Sequence, residues 1–343
     1  MDRPDDLMQA IEALATEDSL ASQTERRQRN VRLYAFLLAL GTFSREDLSP
    51  DKRSRWVAIL EQMYGSHPSR AVHSATGWLL RHWGELEIAT RIDQTELPYD
   101  TSGIREWFVL RLDRRFFEGE DLASEGFTNP SETQATIWLT MIVFPLGFPD
   151  STDSRSEKKE GLTQTIAVSD REITWQQYGA IDQGFRKRIY ETNGYGALRS
   201  DSAVFGVHWF EAIQACRWLT ETAGWGEAQQ SYEKGLQGHS IASIDLLPLN
   251  ESIDWPHVPN RAGFRLPTER EWEIVARAGM MTRYNFGRDS TLLNQYGWYE
   301  GLGNRDHPVA QKMPSVGGLF DIHGNVHEWT NEVAEKPTDR IHR

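Results

Sequence analysis

Apolar residues recur at helical spacing through the first ninety positions of the chain, and this period of three to four residues predicts amphipathic helices. The predicted helical faces are Leu7, Ile11 and Leu14; Tyr34, Leu37 and Leu38; Trp56, Ile59, Leu60 and Met63; and Ala71 to Trp83. Polar residues 17–30 are expected to interrupt the helices, and Gly41 and Gly65 are expected to end two of them. Short helices broken in this way predict paired helices of a HEAT-like stack, so residues 1–95 form a helical scaffold segment.

The pattern then changes to runs typical of strands. Trp107 to Leu110 is a short strand candidate within a transition segment, residues 96–130. Ile137 to Phe144 is apolar and rich in β-branched and aromatic residues, which predicts a buried strand.

Three later helices carry clear start signals or a clear apolar face. Thr174 with Gln177, and Thr268 with Glu271, have the spacing of capping boxes. Gly279 is the expected end of the helix that Thr268 begins. Between them, one apolar helical face is predicted, formed by Trp209, Ala212, Ile213, Cys216 and Leu219.

Residues 318–329 combine glycines, an asparagine, two carboxylates and a tryptophan, so they predict a loop. Asp321 and Glu328 place two carboxylates close together, and the carbonyls of Gly324 and Val326 lie between them in sequence. Such a set of oxygen ligands suits a hard cation such as Ca²⁺. The alternative is an ordinary turn-rich loop in which both carboxylates cap backbone groups.

Composition sets limits on the kind of protein. The chain has 343 residues, 39% hydrophobic residues and 13 tryptophans, which indicates a folded globular protein. Its net charge of −13 argues against a nucleic-acid partner, since binding to nucleic acid neutralises phosphates with Lys and Arg. The same balance suits solubility, cations or basic partners. A protein or peptide partner is expected.

Cys216 is the one cysteine in the sequence, which excludes an intrachain disulfide and favours a reducing, cytoplasmic location. Its place on an apolar helical face predicts a structural role. The N-terminus lacks the apolar core of a signal peptide, and the longest apolar run, residues 34–40, is too short to cross a membrane.

Three motifs in order resemble the formylglycine-generating-enzyme family, also called sulfatase-modifying factors. They are FRLPTEREWEIVARAG at 264–279, YNFG at 284–287 and GLFDIHGNVHEWTNE at 318–332. The segment that begins at Glu172, EITWQQY, resembles the family's E-V-T-N-x-Q-Y, and the helix around Cys216 resembles another family segment. The resemblance covers roughly residues 131–335 and places the domain at 131–343.

The family resemblance implies an α+β protein in which the helical segment precedes a C-type-lectin-like fold with little regular secondary structure. It also implies two calcium sites. The first maps onto Asp321, Gly324, Val326 and Glu328. The second maps onto Asn294 and Gln295, with Asp306 as a loosely aligned carboxylate.

The family's oxidase binds copper(I) through two cysteines that follow the G-N-V-x-E-W motif. The chain ends at Arg343 without that pair, so the domain is expected to be incomplete at its C-terminus and inactive as an oxidase. The helical segment 1–95 resembles a segment of certain bacterial multidomain proteins, in which a protein kinase often lies upstream. No kinase motif occurs here.

Four interpretations remain open at this stage. They are a fragment of an active oxidase that converts a sulfatase cysteine to formylglycine, a non-catalytic lectin-like binding module, a truncated reading frame, and an iron-dependent sulfoxide synthase. The last would need a three-histidine helical bundle, whose spacing His67, His73 and His82 do not show.

The remaining candidate residues favour structural roles. His73 and His82 are expected to be packing residues. His323 and His327 have zinc-like spacing but lie in a loop. Arg265, Glu269 and Glu273 are expected to form structural charge pairs. Trp272, Trp298 and Trp329 belong either to the core or to a groove for a sugar or peptide.

Overall fold

The computed structural model describes residues 4–16, 22–113, 136–145, 165–182, 185, 189, 199–236, 239–240, 255, 257–299, 307–333 and 340–342. Within them the chain is a mixed helix-and-sheet protein, which confirms the predicted class. The HEAT-like pairing, the C-type-lectin-like fold and the domain boundaries remain predictions.

Five helices form the N-terminal segment. They are α1 (Pro4–Thr16), α2 (Gln23–Leu40), α3 (Pro50–Ser66), α4 (Arg70–His82) and α5 (Leu86–Asp93). The expected interruption over 17–30 is wrong for its second half, because Ser22 caps α2 with a complete capping box to Glu25. The side chains of 23–28 are exposed, so their polarity is that of a solvated helix face.

A three-stranded antiparallel sheet follows, with β1 (Trp107–Asp113) and β3 (Thr165–Ser169) on either side of β2 (Thr136–Pro145). β1 and β2 confirm the predicted strands and extend them, and β1 lies within the predicted transition segment. Because successive side chains point to opposite sides, Phe108 packs in one core and Trp107 in another.

The sheet lies between two groups of packed elements. On the Phe108 side it meets α6 (Trp175–Ile181) and α7 (Trp209–Thr222). On the Trp107 side it meets Val275 of α8 (Glu269–Arg277) and Leu319. Smaller elements complete the described chain: β4 (Gly235–Leu236), β5 (His239–Ser240), α9 (Leu293–Tyr296), β6 (Trp329–Val333) and β7 (Arg340–His342).

The helical segment packs directly on the chain that leads into the 318–329 loop. Phe320 and Ala310 belong to the same hydrophobic core as α1–α5. The Ser74 hydroxyl donates to the Gly318 carbonyl at 2.7 Å, and the Tyr34 hydroxyl donates to the Pro314 carbonyl at 2.8 Å. The helices therefore support this loop from one side.

His73 marks the junction between the helices and the sheet. Its ring stacks on Trp107 with centroids 3.6 Å apart and on Tyr64 at 4.5 Å, and Nδ1 lies 2.8 Å from the Tyr64 carbonyl. Burial lowers the pKa of His73 to about 3, so the ring is neutral and has the predicted packing role.

We predict that His73 makes the folded protein sensitive to acid. Its pKa is lower in the folded chain than in the unfolded one, so its contribution to stability is present above pH 6.5 and is lost as pH falls toward 4. In His73→Phe the unfolding free energy should fall less over this window, by about 1.4 kcal/mol per pH unit. Urea unfolding at several pH values measures the difference, and the exposed His82→Phe is the control. Equal slopes in wild type and His73→Phe would contradict the prediction.

Candidate cation site in the acidic loop

The start of α8 lies on one side of the candidate cation site, which is the loop formed by residues 318–329. Thr268 accepts from the Glu271 amide at 3.1 Å, and Glu271 accepts from the Thr268 amide at 2.8 Å, which confirms the predicted capping box. Arg265 holds the same Glu271 carboxylate with two bonds of 2.6 and 2.7 Å. The helix ends at Ala278, which adopts left-handed φ of 48° before Gly279.

Arg265 forms a structural charge pair, as predicted. Its partner is the capping residue Glu271, which was not among the predicted charges. Glu273 instead pairs with Arg277 one turn along the helix. The sequence spacing of Arg265 and Glu271 gave no helical reason to join them, since Arg265 lies before the helix.

Left-handed backbone positions shape the 318–329 loop. Asp321 has φ of 52°, Asn325 has 65° and Gly324 has 117°. A Cβ on Gly324 would lie 1.6 Å from the Trp298 carbonyl oxygen, so only glycine fits there. The Asn325 amide donates to that same carbonyl at 3.1 Å, which holds the loop against Trp298.

Asp321 is buried and only half satisfied. Its Oδ2 accepts from the Ala310 amide at 2.7 Å, while Oδ1 is buried without a hydrogen-bond donor among the described residues. Burial raises the pKa of Asp321 to about 7, although Ala310 and Arg171 oppose this rise. An unpaired buried carboxylate oxygen is costly unless something positive meets it.

Two further carboxylates lie close to Asp321. Glu328 accepts from the Trp272 indole N–H at 2.5 Å, and its pKa is raised by burial. Glu172 has both oxygens buried without a donor among the described residues, and burial, Asp321 and Glu328 raise its pKa well above the usual value. The Asn325 side-chain amide opposes this rise in the Glu172 pKa, and it donates to the His307 carbonyl at 3.4 Å.

Sequence reasoning missed Glu172 as part of this site. Glu172 begins the segment EITWQQY, and this place in a family-like motif was the available sign of a functional role. The capping box within the motif predicts only the start of a helix. Its position 149 residues before Asp321 hid the contact, since only the folded chain brings them together.

The first predicted calcium set fits a hard cation in its donor chemistry. Among the described residues, no backbone amide donates to the carbonyls of Gly324 or Val326, so both remain available. Asp321 and Glu328 influence each other's charge. Over the described ranges no group of three Asp, Glu, His or Cys side chains is arranged as a metal centre, so the fit depends on backbone carbonyls as well.

The second predicted set, Asn294 and Gln295, stays a prediction, and both of its backbone carbonyls already accept hydrogen bonds. The Asn294 carbonyl accepts from Lys312 Nζ at 2.5 Å, and the Gln295 carbonyl accepts from the Met313 amide at 2.8 Å. The Lys312 ammonium also lies 3.9 Å from the centre of the Trp298 ring. An internal cation thus already uses this carbonyl. Asp306 lies outside the described residues.

The other candidates have packing roles. Burial raises the pKa of Cys216 to about 12, so its thiol is protonated. His323 Nε2 lies 3.0 Å from the Asn285 side-chain oxygen. Trp329 donates to the Val207 carbonyl at 2.8 Å and packs in a core with Trp209 and Trp255. Trp298 stacks on His307 at 3.8 Å.

None of the helices in the described parts of the chain combines the length and the apolar character needed to cross a membrane.

The fold and site together define a mixed helix-and-sheet domain with an acidic, carbonyl-rich loop. The profile of the sulfatase-modifying factor enzyme 1-like domain matches residues 132–340, and the chain belongs to this family. This confirms the resemblance that the motifs at 264–332 indicated.

Several relatives share this sequence pattern. The chaperone protein LppX of Paenibacillus barcinonensis is 24% identical over 259 residues, which span 68% of this chain and 83% of that protein. The formylglycine-generating enzyme of Thermomonospora curvata is 24% identical over 64% of this chain and 82% of the enzyme. That of Streptomyces coelicolor is 27% identical over 39% of this chain and 45% of the enzyme.

One solved structure, Treponema denticola variable protein 1, is 26% identical and covers 59% of this chain and 77% of its own. Its TM-score of 0.42 is too low to bear on the fold.

We predict that the Arg265–Glu271 pair is a main support of the loop's neighbouring helix. Glu271→Gln should lower the unfolding free energy by about 3 kcal/mol, because it leaves a largely buried guanidinium without its charge partner. Glu273→Gln breaks a more exposed pair on the same helix and should cost about 0.5 kcal/mol or less. Chemical denaturation of the two variants measures both values, and equal losses would contradict this assignment.

Proposed function

We propose that this chain is a calcium-binding, sulfatase-modifying-factor-like module without oxidase activity, built on a C-type-lectin-like scaffold. The observation that carries the calcium proposal is the buried Oδ1 of Asp321, which has no donor among the described residues. The family membership supports the module type, and the chemistry of the loop supports the ion.

Asp321 and Glu328 would hold the ion through side chains, and Gly324 and Val326 through carbonyls. A bound Ca²⁺ would supply fixed positive charge that offsets buried carboxylates and locks the loop's left-handed turns. The irregular loop suits calcium better than magnesium, which demands near-ideal octahedral ligands and releases water reluctantly.

Copper does not fit the residues present. Copper(I) favours thiolate ligands, and Cys216 is the one thiol of the printed sequence. Its pKa of about 12 and its packing beside Trp209 and Tyr232 oppose thiolate formation. These observations support a chain without oxidase chemistry. The competing proposal is a fragment of an active oxidase, favoured by the relatives named formylglycine-generating enzymes.

A protein or peptide partner completes the proposal. One relative is named a chaperone, which supports polypeptide binding as a role that needs no oxidase chemistry. The net charge of −13 supports a partner other than nucleic acid. The buried thiol of Cys216 is compatible with a cytoplasmic location.

We predict that calcium raises the melting temperature of the protein after chelator treatment, because a ligand that binds only the folded state stabilises it. At a concentration a hundred times the Kd the gain is about 2.7 kcal/mol. Asp321→Asn and Glu328→Gln should lose this gain, while Glu273→Gln should keep it. Differential scanning calorimetry with and without calcium gives the comparison. A melt that calcium leaves unchanged in wild type would refute the calcium proposal.

We predict no oxidation of a peptide that carries the C-x-P-x-R sulfatase motif. Copper-loaded protein, peptide and oxygen are incubated, and the peptide mass is followed by mass spectrometry. The peptide thiol should remain intact, because no pair of thiolates is present to bind copper(I). Conversion of the cysteine to formylglycine by this chain would support the oxidase alternative instead. Cys216→Ala serves as the control for any residual thiol chemistry.

A further inference from the structure

Four charged side chains meet in the interior where the helical segment joins the sheet. Arg81 of α4 and Asp93 of α5 form an ion pair, and the Tyr64 hydroxyl donates to the same Asp93 carboxylate. Asp170 and Arg171 follow β3, and Arg171 binds Asp170 through two bonds of 2.6 and 2.8 Å. Arg171 Nη1 lies 3.6 Å from Asp93 Oδ2, so one contact joins the two pairs.

This group reaches the acidic loop through the backbone. The Phe320 amide donates to the Asp170 carbonyl at 2.8 Å, and the Arg171 guanidinium lies over the Phe320 ring at 5.3 Å. Phe320 is followed directly by Asp321, and Arg171 is followed directly by Glu172. Glu172 therefore adjoins the charged group in sequence, and Asp321 follows the residue whose amide bonds to Asp170.

The signs of the charges matter for a cation in the loop. The Arg171 guanidinium lies over the ring of Phe320, the residue before Asp321, so its positive charge would repel a cation bound at Asp321. Asp170 and Asp93 surround Arg171 with negative charge, and Arg81 competes for Asp93 from the helical side. With all four groups ionised the charges sum to zero, and loss of Asp93 alone leaves one excess positive charge.

We propose that Asp93 is a positioning residue of the cation site, although it belongs to the helical segment. It neutralises Arg171 and holds the guanidinium toward the helices, so that Arg171 does not oppose a cation at Asp321 and Glu328. The inference rests on the proposed calcium function. Through Asp93, α5 contributes to the calcium affinity of the loop.

Two single substitutions in this group separate the inference from a merely structural role. Asp93→Asn removes negative charge and leaves Arg171 under-neutralised, so calcium binding should weaken about fivefold or more, within the usual range of coupling between sites. Arg81→Met releases Asp93 to pair with Arg171 alone, so calcium affinity should be unchanged or tighter. Both variants disturb the same buried pair, so loss of structure alone would weaken binding in both.

Calorimetric calcium titration of the chelator-stripped full chain measures the Kd of each variant, under conditions where circular dichroism shows it folded. Leu33→Ala, a buried substitution in α2 outside the charged group, is the stability control and should keep the wild-type Kd. Weaker binding in Asp93→Asn with no weakening in Arg81→Met supports the inference. Equal affinity in wild type and Asp93→Asn, or equal weakening in all three variants, overturns it while calcium binding stands.

Hydrogen exchange of the wild-type protein gives a measurement that needs no variant. Coupling between sites is reciprocal, so calcium should slow exchange of amides in the last turn of α5, near Asp93, more than in α1. Uniform or absent protection in α5 on calcium binding overturns the inference. A wild-type chain that binds no calcium in the titration overturns the proposed function, and the inference falls with it.

Discussion

The acidic loop and its neighbours bury three carboxylates that have few hydrogen-bond donors, and the packing around them has to compensate for that burial. Asp321 Oδ1 and both oxygens of Glu172 are removed from water without a hydrogen-bond donor in the described chain, and Glu328 has one donor in Trp272. Such groups must be protonated or meet a positive charge. The left-handed turns at Asp321, Gly324 and Asn325 shape the loop that carries Asp321 and Glu328, and this geometry supports the proposed cation site.

The helical segment packs against this loop. Its core includes Phe320, which precedes Asp321 in the chain, and Ala310, whose amide donates to the Asp321 carboxylate. Arg171 brings positive charge near Asp321, and the helices supply Asp93 to balance it. A loop with few regular elements is thereby braced by a regular helical layer. This explains why the helices and the sheet share buried contacts such as that between His73 and Trp107.

Local patterns predicted the regular elements well. The capping boxes at Thr174 and Thr268 and the strands at 107 and 137 were correct because their signals lie within a few residues. The start of α2 was misplaced because its exposed face is almost wholly polar. β3 was missed, since it is a five-residue strand at the edge of the sheet and shows no long apolar run.

The site was predictable only where it lies in one segment. Asp321, Gly324, Val326 and Glu328 were found together, whereas Glu172, Arg171 and Lys312 join the loop through folding and carry no local sign of doing so. The Lys312 ammonium, for example, donates to the Asn294 carbonyl 18 residues earlier in the chain. A resemblance predicts the type of site, whereas the side chains that surround it are known only from the fold.

The central claim is that the acidic loop binds one calcium ion per chain. Equilibrium dialysis of the chelator-stripped protein against radioactive calcium, with excess magnesium present, tests it most directly. We expect saturation at about one tightly bound ion per chain, since Ca²⁺ binds carboxylate, carbonyl and water oxygens together. No retained calcium, or weak unsaturable binding that magnesium displaces, would contradict it.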